Sequence, residues 1–336
     1  MTTVLAGLAL RLAVLAGAGD VLAAWVRNAD GAGMLVSTAM NLELGLDLLP
    51  QETPAEMPTE TEAPALRLVA VPPPSPTEPP APEPTPETVA ASLSGAEAVH
   101  NRTKLAVDFD ALAAEGLSLR LPAGEPQVLI IHTHSSEAYA QDPYDPYDAS
   151  DPYRTEDPAH SVIRVGDALA ERLEKSGLTV LHDVELYDYP SYTGSYSRSG
   201  AAVERYLAEY PSLRVVIDLH RDAIGNGDVV YKTHASFDGR SSAQVMLLAG
   251  TGENGLPHPN WRENLKLALY LQNAASERWP TLTRPIELVS ERYNQQLCPG
   301  MLILEVGSTG NTLSEAVLAA ELFGDAAGPA LAKLVE

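Results

Sequence analysis

The chain has 336 residues, of which 45% are hydrophobic, and carries 45 acidic against 22 basic residues for a formal net charge of −23. That balance opposes binding to DNA or RNA, whose phosphates are neutralised by Lys and Arg, so nucleic acid is not expected as a partner. Cys298 is the only cysteine, which excludes an intramolecular disulfide and a cysteine-based zinc cluster and leaves any metal to histidines and carboxylates.

Residues 4–26 form an apolar run interrupted by Arg11 and Asp20. It is long enough for the ~20 helical residues that cross a bilayer, so residues 1–30 read as a membrane anchor or signal segment. Met34, Leu35, Met40, Leu42, Leu46 and Leu49 then give residues 31–49 the pattern of a short amphipathic segment beside the membrane. From Pro50 to Thr88 the composition changes, with 13 of the 27 prolines, seven glutamates and one arginine. Such a stretch cannot bury a core, and residues 50–91 are expected to be an extended, self-repelling linker. Together these segments predict a domain held outside the cytoplasm on a single-pass anchor.

The folded domain is expected over residues 92–336. Gln127-Val-Leu-Ile-Ile131 is a buried-strand run, and Val162, Val165, Leu169 and Leu173 share a helical face closed by Gly177. Strands follow at 178–181, 214–218, 245–248 and 301–304, and helices at 201–210, 261–278 and 313–323. The alternation predicts an α/β fold with a mainly parallel central sheet and helices on both faces. Between the first strand and the first helix, Asp-Pro-Tyr occurs three times in residues 142–153. The prolines exclude a regular helix there, leaving a solvated loop or a rim that meets substrate through its tyrosines.

Ligands of such sheets bind at the carboxyl ends of strands, and three of these ends carry polar residues. They are His132-Thr-His134-Ser-Ser-Glu137, Asp218-Leu-His220-Arg-Asp222, and Glu305-Val-Gly307 with Asn311 beyond. A parallel sheet brings them to one edge although 86 and 85 residues separate His134, His220 and Glu305. His134, Glu137 and His220 form a set of imidazole and carboxylate donors suited to zinc, which accepts both at ~2.0–2.2 Å. His132 rivals His134, because alternation in an extended segment puts both on one face. Glu305 is the candidate proton carrier for a zinc-activated water. Arg221 is a candidate holder of a substrate carboxylate, and Asp222 a candidate for orienting His220. His100, His160, His182, His234 and His258 lie in predicted loops or element ends and are read as structural.

Several longer blocks carry a resemblance. Val128-Leu-Ile-Ile-His-Thr-His-Ser-Ser-Glu-Ala-Tyr139, Tyr189-Pro-Ser-Tyr-Thr-Gly-Ser-Tyr-Ser-Arg198, Val216-Ile-Asp-Leu-His-Arg-Asp-Ala223, Arg292-Tyr-Asn294 and Leu304-Glu-Val-Gly-Ser-Thr-Gly-Asn311 look like the stage II sporulation protein P family, in order, over about residues 95–330. The resemblance implies a zinc-dependent peptidoglycan hydrolase related to the N-acetylmuramoyl-L-alanine amidases, with added endopeptidase activity on peptide cross-links. It implies action during engulfment of the forespore, beside a lytic transglycosylase and a membrane partner. Glu305 and Asn311 fall in the block that resembles the segment carrying the catalytic glutamate. In many such amidases the middle zinc ligand is a glutamate opening the first helix, which here would be Glu156 in place of Glu137. Two other readings remain open from the residues: a zinc peptidase acting only on stem peptides, and a wall-binding scaffold without turnover.

Overall fold

The computed structural model describes residues 98–225 and 229–336; the expected anchor, amphipathic segment and Pro-rich linker lie outside them. No helix among the described residues is long and apolar enough to cross a membrane.

In chain order the elements are β1 (Val99–Asn101), α1 (Phe109–Ala114), β2 (Val128–Ile131), α2 (Val162–Lys175), β3 (Val180–His182), α3 (Ser195–Glu209), β4 (Val215–Asp222), β5 (Ala235–Phe237), β6 (Arg240–Ser242), β7 (Val245–Gly250), α4 (Trp261–Arg278), β8 (Ile286–Val289), a 3-10 turn (Gln295–Leu297), β9 (Met301–Ser308) and α5 (Leu313–Ala332). Seven strands form one sheet in the order β1-β8-β7-β9-β4-β2-β3, and β5 and β6 form a separate antiparallel hairpin. Every neighbouring pair in the large sheet is parallel except β7 and β9. The expected α/β architecture is therefore present, with one reversal that divides the sheet into two parallel blocks of opposite direction.

Side chains of β2 alternate between two cores. Val128 and Ile130 pack with α2 and α5 on one face, while Leu129 and Ile131 pack with Ala202 and Val203 of α3, Cys298 and Met301 on the other. All four β2 residues are buried, as expected for a strand covered on both sides. Cys298 sits in the second core, 3 % exposed, in keeping with its reading as a small apolar residue.

Several element boundaries differ from the expectation. Strands β4, β7 and β9 run on to Asp222, Gly250 and Ser308, past the expected ends at 218, 248 and 304, so that His220 and Glu305 lie within their strands' pairing and not beyond it. Helix α3 begins at Ser195, six residues before Ala201, directly after Gly194 in the left-handed region (φ 81°). Its first turn, Ser-Tyr-Ser-Arg, has weak helix propensity and is held by tertiary bonds: Asn294 Nδ2 donates to Tyr196 O at 2.7 Å and Arg198 Nε to Tyr187 O at 2.7 Å. Helix α5 continues past Phe323 to Ala332, with Pro329 in its last turn. It lies close on α2, where a Cβ at Gly324 would stand 2.6 Å from Arg172 Cβ and one at Gly328 would stand 2.3 Å from Ser176 Oγ, so glycine sets the interhelical approach. The strand expected at 178–181 runs instead from Val180 to His182.

Candidate active site at the ends of three parallel strands

Strands β2, β4 and β9 are neighbours in one parallel block, with Ile131 opposite Asp218, and His220 opposite Glu305. The register shifts between His220 and Asp222, a bulge of the kind that re-aims side chains beside active sites. The three strand ends singled out in the sequence thus meet at one edge.

After Ile131 the chain turns and no longer alternates, so the two histidines of His-Thr-His separate. His134 reaches the cluster: its ring lies edge-on to His220 with centroids 5.2 Å apart. His132 goes elsewhere, with Nδ1 2.9 Å from Leu219 O and Nε2 2.8 Å from His182 Nε2. His182 in turn lies 3.1 Å from Asp167, and Gly166 leaves the space that the His132 ring fills. The expectation that both histidines share a face fails because residues 133–136 form a turn instead of continuing the strand.

Glu137 is buried, its Oε2 accepting from Arg221 N at 3.2 Å and standing 3.5 Å from His220 Nδ1, while Oε1 is 3.6 Å from Arg154 Nη2. Burial alone would raise its pKa, but Arg221 and His220 outweigh it and hold the carboxyl well below the ordinary range. His220 is 3 % exposed and has Asp218 Oδ1 3.0 Å from Nε2. Its burial favours the neutral ring, yet Asp218 and Glu137 prevail and hold the imidazolium well above its usual pKa. His134 goes the other way: burial, only partly opposed by Glu137, lowers it to about 4. Glu156 is exposed and bonds to Tyr189; it precedes the Ser161 cap of α2 by five residues and does not join the cluster.

Glu305 completes the arrangement from β9. It is partly buried, and its Oε2 has no hydrogen-bond partner although that atom is shielded from solvent. Burial, against the pull of His220, pushes its pKa up to about 8.

Three further candidates are placed outside the cluster. Arg221 points to the opposite side of β4 from His220, where Nε donates to Ala138 O at 2.7 Å and Nη2 to Tyr153 O at 3.0 Å. It therefore ties down the loop that carries Glu137. Asp222 does not orient His220: Arg284 Nη2 donates to its Oδ2 at 2.8 Å, because the bulge turns it away. The carboxylate beside the His220 ring is that of Asp218, whose Oδ1 forms an ion pair with Nε2 at 3.0 Å and which accepts from Thr133 N and Oγ1 at 2.8 and 2.7 Å. Asn311 closes the turn between β9 and α5, accepting from Ser308 N and donating to Thr233 O and Glu315 Oε2.

Sequence reasoning missed Asp218, Asp188, Arg154 and an aromatic group. Asp218 was legible, since Asp-Leu-His puts it on the same strand face as His220. Asp188 accepts from Ser136 N, Ser136 Oγ and Arg154 Nη1 at 3.0, 2.7 and 2.6 Å, and nothing local in the sequence announces it. Tyr192 stacks on His134 with centroids 4.5 Å apart and its hydroxyl 3.1 Å from His134 Nε2. The Arg154 guanidinium lies 4.9 Å from the Tyr192 ring centroid.

No three His, Cys, Asp or Glu side chains among the described residues are grouped as a metal ion requires. The donor types nonetheless suit zinc. The 3.5 Å between Glu137 Oε2 and His220 Nδ1 equals the ~3.4 Å edge that two donors at ~2.1 Å span around a tetrahedral ion. His134, the third donor of the expected set, has its Nε2 against the Tyr192 hydroxyl.

Fold and site together define an α/β domain of two opposed parallel blocks, with a buried histidine–carboxylate cluster where three strands of one block end. The sequence profile of the family Stage II sporulation protein P (SpoIIP) matches residues 74–327, and the chain belongs to that family. Over 213 residues it is 30% identical to stage II sporulation protein P of Bacillus subtilis (strain 168), a match covering 59% of this chain and 49% of that protein; the matched region spans about half the length of this relative. Among solved structures, it is similar to the CwlD amidase from Clostridioides difficile in complex with the GerS lipoprotein, at 13% identity and a TM-score of 0.38 over 62% of this chain and 98% of that one. It is also similar to the N-acetylmuramoyl-L-alanine amidase AmiC2 of Nostoc punctiforme, at 12% identity and a TM-score of 0.34 over 63% of this chain and 96% of that one.

Proposed function

We propose that this domain is a zinc-dependent peptidoglycan hydrolase of sporulation that cleaves the amide between N-acetylmuramic acid and L-alanine, with peptide cross-links as further substrates. Glu305 carries the reading: a shielded carboxyl oxygen without a partner, on the strand position opposite His220, is suited to exchange a proton. Glu137 and His220 would hold the metal, with His134 as third donor. A zinc ion held there would supply Lewis acidity. Glu305 would accept a proton from water and return it to the leaving nitrogen. Asp218 keeps the His220 ring in place from its far nitrogen, and Arg221 and Arg154 hold the loop and carboxylate of Glu137. Family membership supports the sporulation setting. In that setting residues 1–30 would anchor the domain at the outer face of the membrane, residues 50–91 would give it reach, and a lytic transglycosylase and a membrane partner would act beside it.

Mass spectrometry of the products released from purified wall by the full chain tests this reading. Peptide-free glycan is expected, because only amide cleavage detaches whole stem peptides. Cut peptides with no peptide-free glycan would overturn the amidase assignment in favour of a zinc peptidase; wall binding without any product would leave a scaffold.

A further inference from the structure

The Arg292-Tyr-Asn294 segment has no part in the machinery above, yet its backbone is unusual. Tyr293 and Asn294 both lie in the left-handed region, at φ 44° and 61°, which a bulky residue such as tyrosine rarely enters. The surroundings enforce it. Asn294 Nδ2 donates to Tyr196 O at 2.7 Å and to Ser199 Oγ at 3.3 Å, and Arg292 Nη1 donates to Pro257 O at 3.0 Å. Gly200 makes the room, since a Cβ there would stand 3.0 Å from the Asn294 amide. Strain retained in this way is concentrated at functional positions, and its effect here is to present one aromatic ring.

That ring continues a wall. Tyr293 lies 5.4 Å from Tyr196, Tyr196 is stacked over His220 at 6.5 Å and 14°, and Tyr192 is stacked on His134. Tyr192 is 44% exposed, and Tyr196 and Tyr293 are partly open, so the wall borders the cluster and is reachable. Its two ends differ in charge. Arg154 lies over Tyr192, whereas the exposed Glu291 stands two residues before Tyr293. An anionic peptide is disfavoured at the Tyr293 end. A neutral ring with an apolar face and polar rim suits it, as a pyranose does.

We propose that Tyr293, with Tyr196 and Tyr192, forms a sugar-binding wall that holds the glycan strand by its apolar ring faces beside His220 and Glu305. The identity of the polymer rests on the hydrolase reading; the wall itself does not require turnover. Binding of peptide-free glycan strands to the full chain, followed by calorimetry, tests it directly. Tyr293→Phe keeps the ring and should bind within about twofold of the parent. Tyr293→Asn tolerates the left-handed backbone but lacks the ring, and should bind about tenfold more weakly, raising KM on wall far more than it lowers kcat. Tyr192→Leu, which leaves the strained turn untouched, should weaken binding in the same direction. Parent-like glycan binding in both ring-deleted variants would overturn the proposal, as would loss of free stem-peptide binding with glycan binding intact. If the chain releases no product but glycan binding still depends on Tyr293, the hydrolase reading fails and the wall stands.

Discussion

Two glutamates ten residues apart, Glu305 near the end of β9 and Glu315 in the first turn of α5, have opposite surroundings. Glu315 closes a capping box with Thr312 and accepts from Lys232 Nζ, Ser241 Oγ and Asn311 Nδ2. Burial would raise its pKa, but these partners lower it to about 2. Glu305 has an oxygen with no partner and a pKa near 8. A carboxylate that builds the framework is saturated with donors; one that is free to exchange a proton is left short of them.

Removing the histidine on the strand position opposite the unsaturated glutamate should have the largest effect. His220→Ala is expected to abolish wall digestion and to lose zinc stoichiometrically while the domain stays folded; a folded variant with one zinc per chain by elemental analysis would show that the donor set is wrong.

Glu305→Gln comes next, with a rate lower by about 10²- to 10⁴-fold and zinc content unchanged. A variant that lost its metal would make Glu305 a ligand, and one that kept the parent rate would remove the proposed base.

The two glutamates should also give pH slopes of opposite sign, measurable by denaturant unfolding of chelator-treated protein. An unfolded glutamate titrates near ~4.3. Glu315 is ionised in the folded chain down to about 2, so its contribution is present above ~4.3 and lost as pH falls toward 2; Glu315→Gln should cost about 2–3 kcal/mol at pH 7 and much less at pH 2. Glu305 is protonated in the folded chain up to about 8. Stability relative to Glu305→Gln should therefore fall as pH rises from ~4.3 through 8. Parallel slopes for the two variants would break the contrast.

The smallest effect belongs to Glu156→Gln. An exposed carboxylate outside the cluster should change stability by less than about 0.5 kcal/mol and leave zinc content and wall digestion unaltered; loss of zinc would return Glu156 to the ligand set in place of Glu137.

The sequence by itself determined the α/β class, the buried strands at 128–131, 215–218 and 301–304, and the convergence of His134, His220 and Glu305. Period-2 and period-3.6 hydrophobic patterns are local, and parallel strands carry whatever follows them to a common edge. It also supplied the family resemblance, because long ordered blocks survive where spacing alone is ambiguous. Tertiary structure alone decided the rest. The β7–β9 reversal depends on which strand ends the chain joins across the sheet, which no local pattern encodes. The choice of His134 over His132 depends on the chain turning after Ile131, so that strand alternation stops where it was needed. Asp188, Arg154 and Tyr293 join the site through loops from distant parts of the chain. Their roles come from partners brought near by folding, and a side chain's partners, unlike its burial period, leave no trace in its neighbours along the sequence.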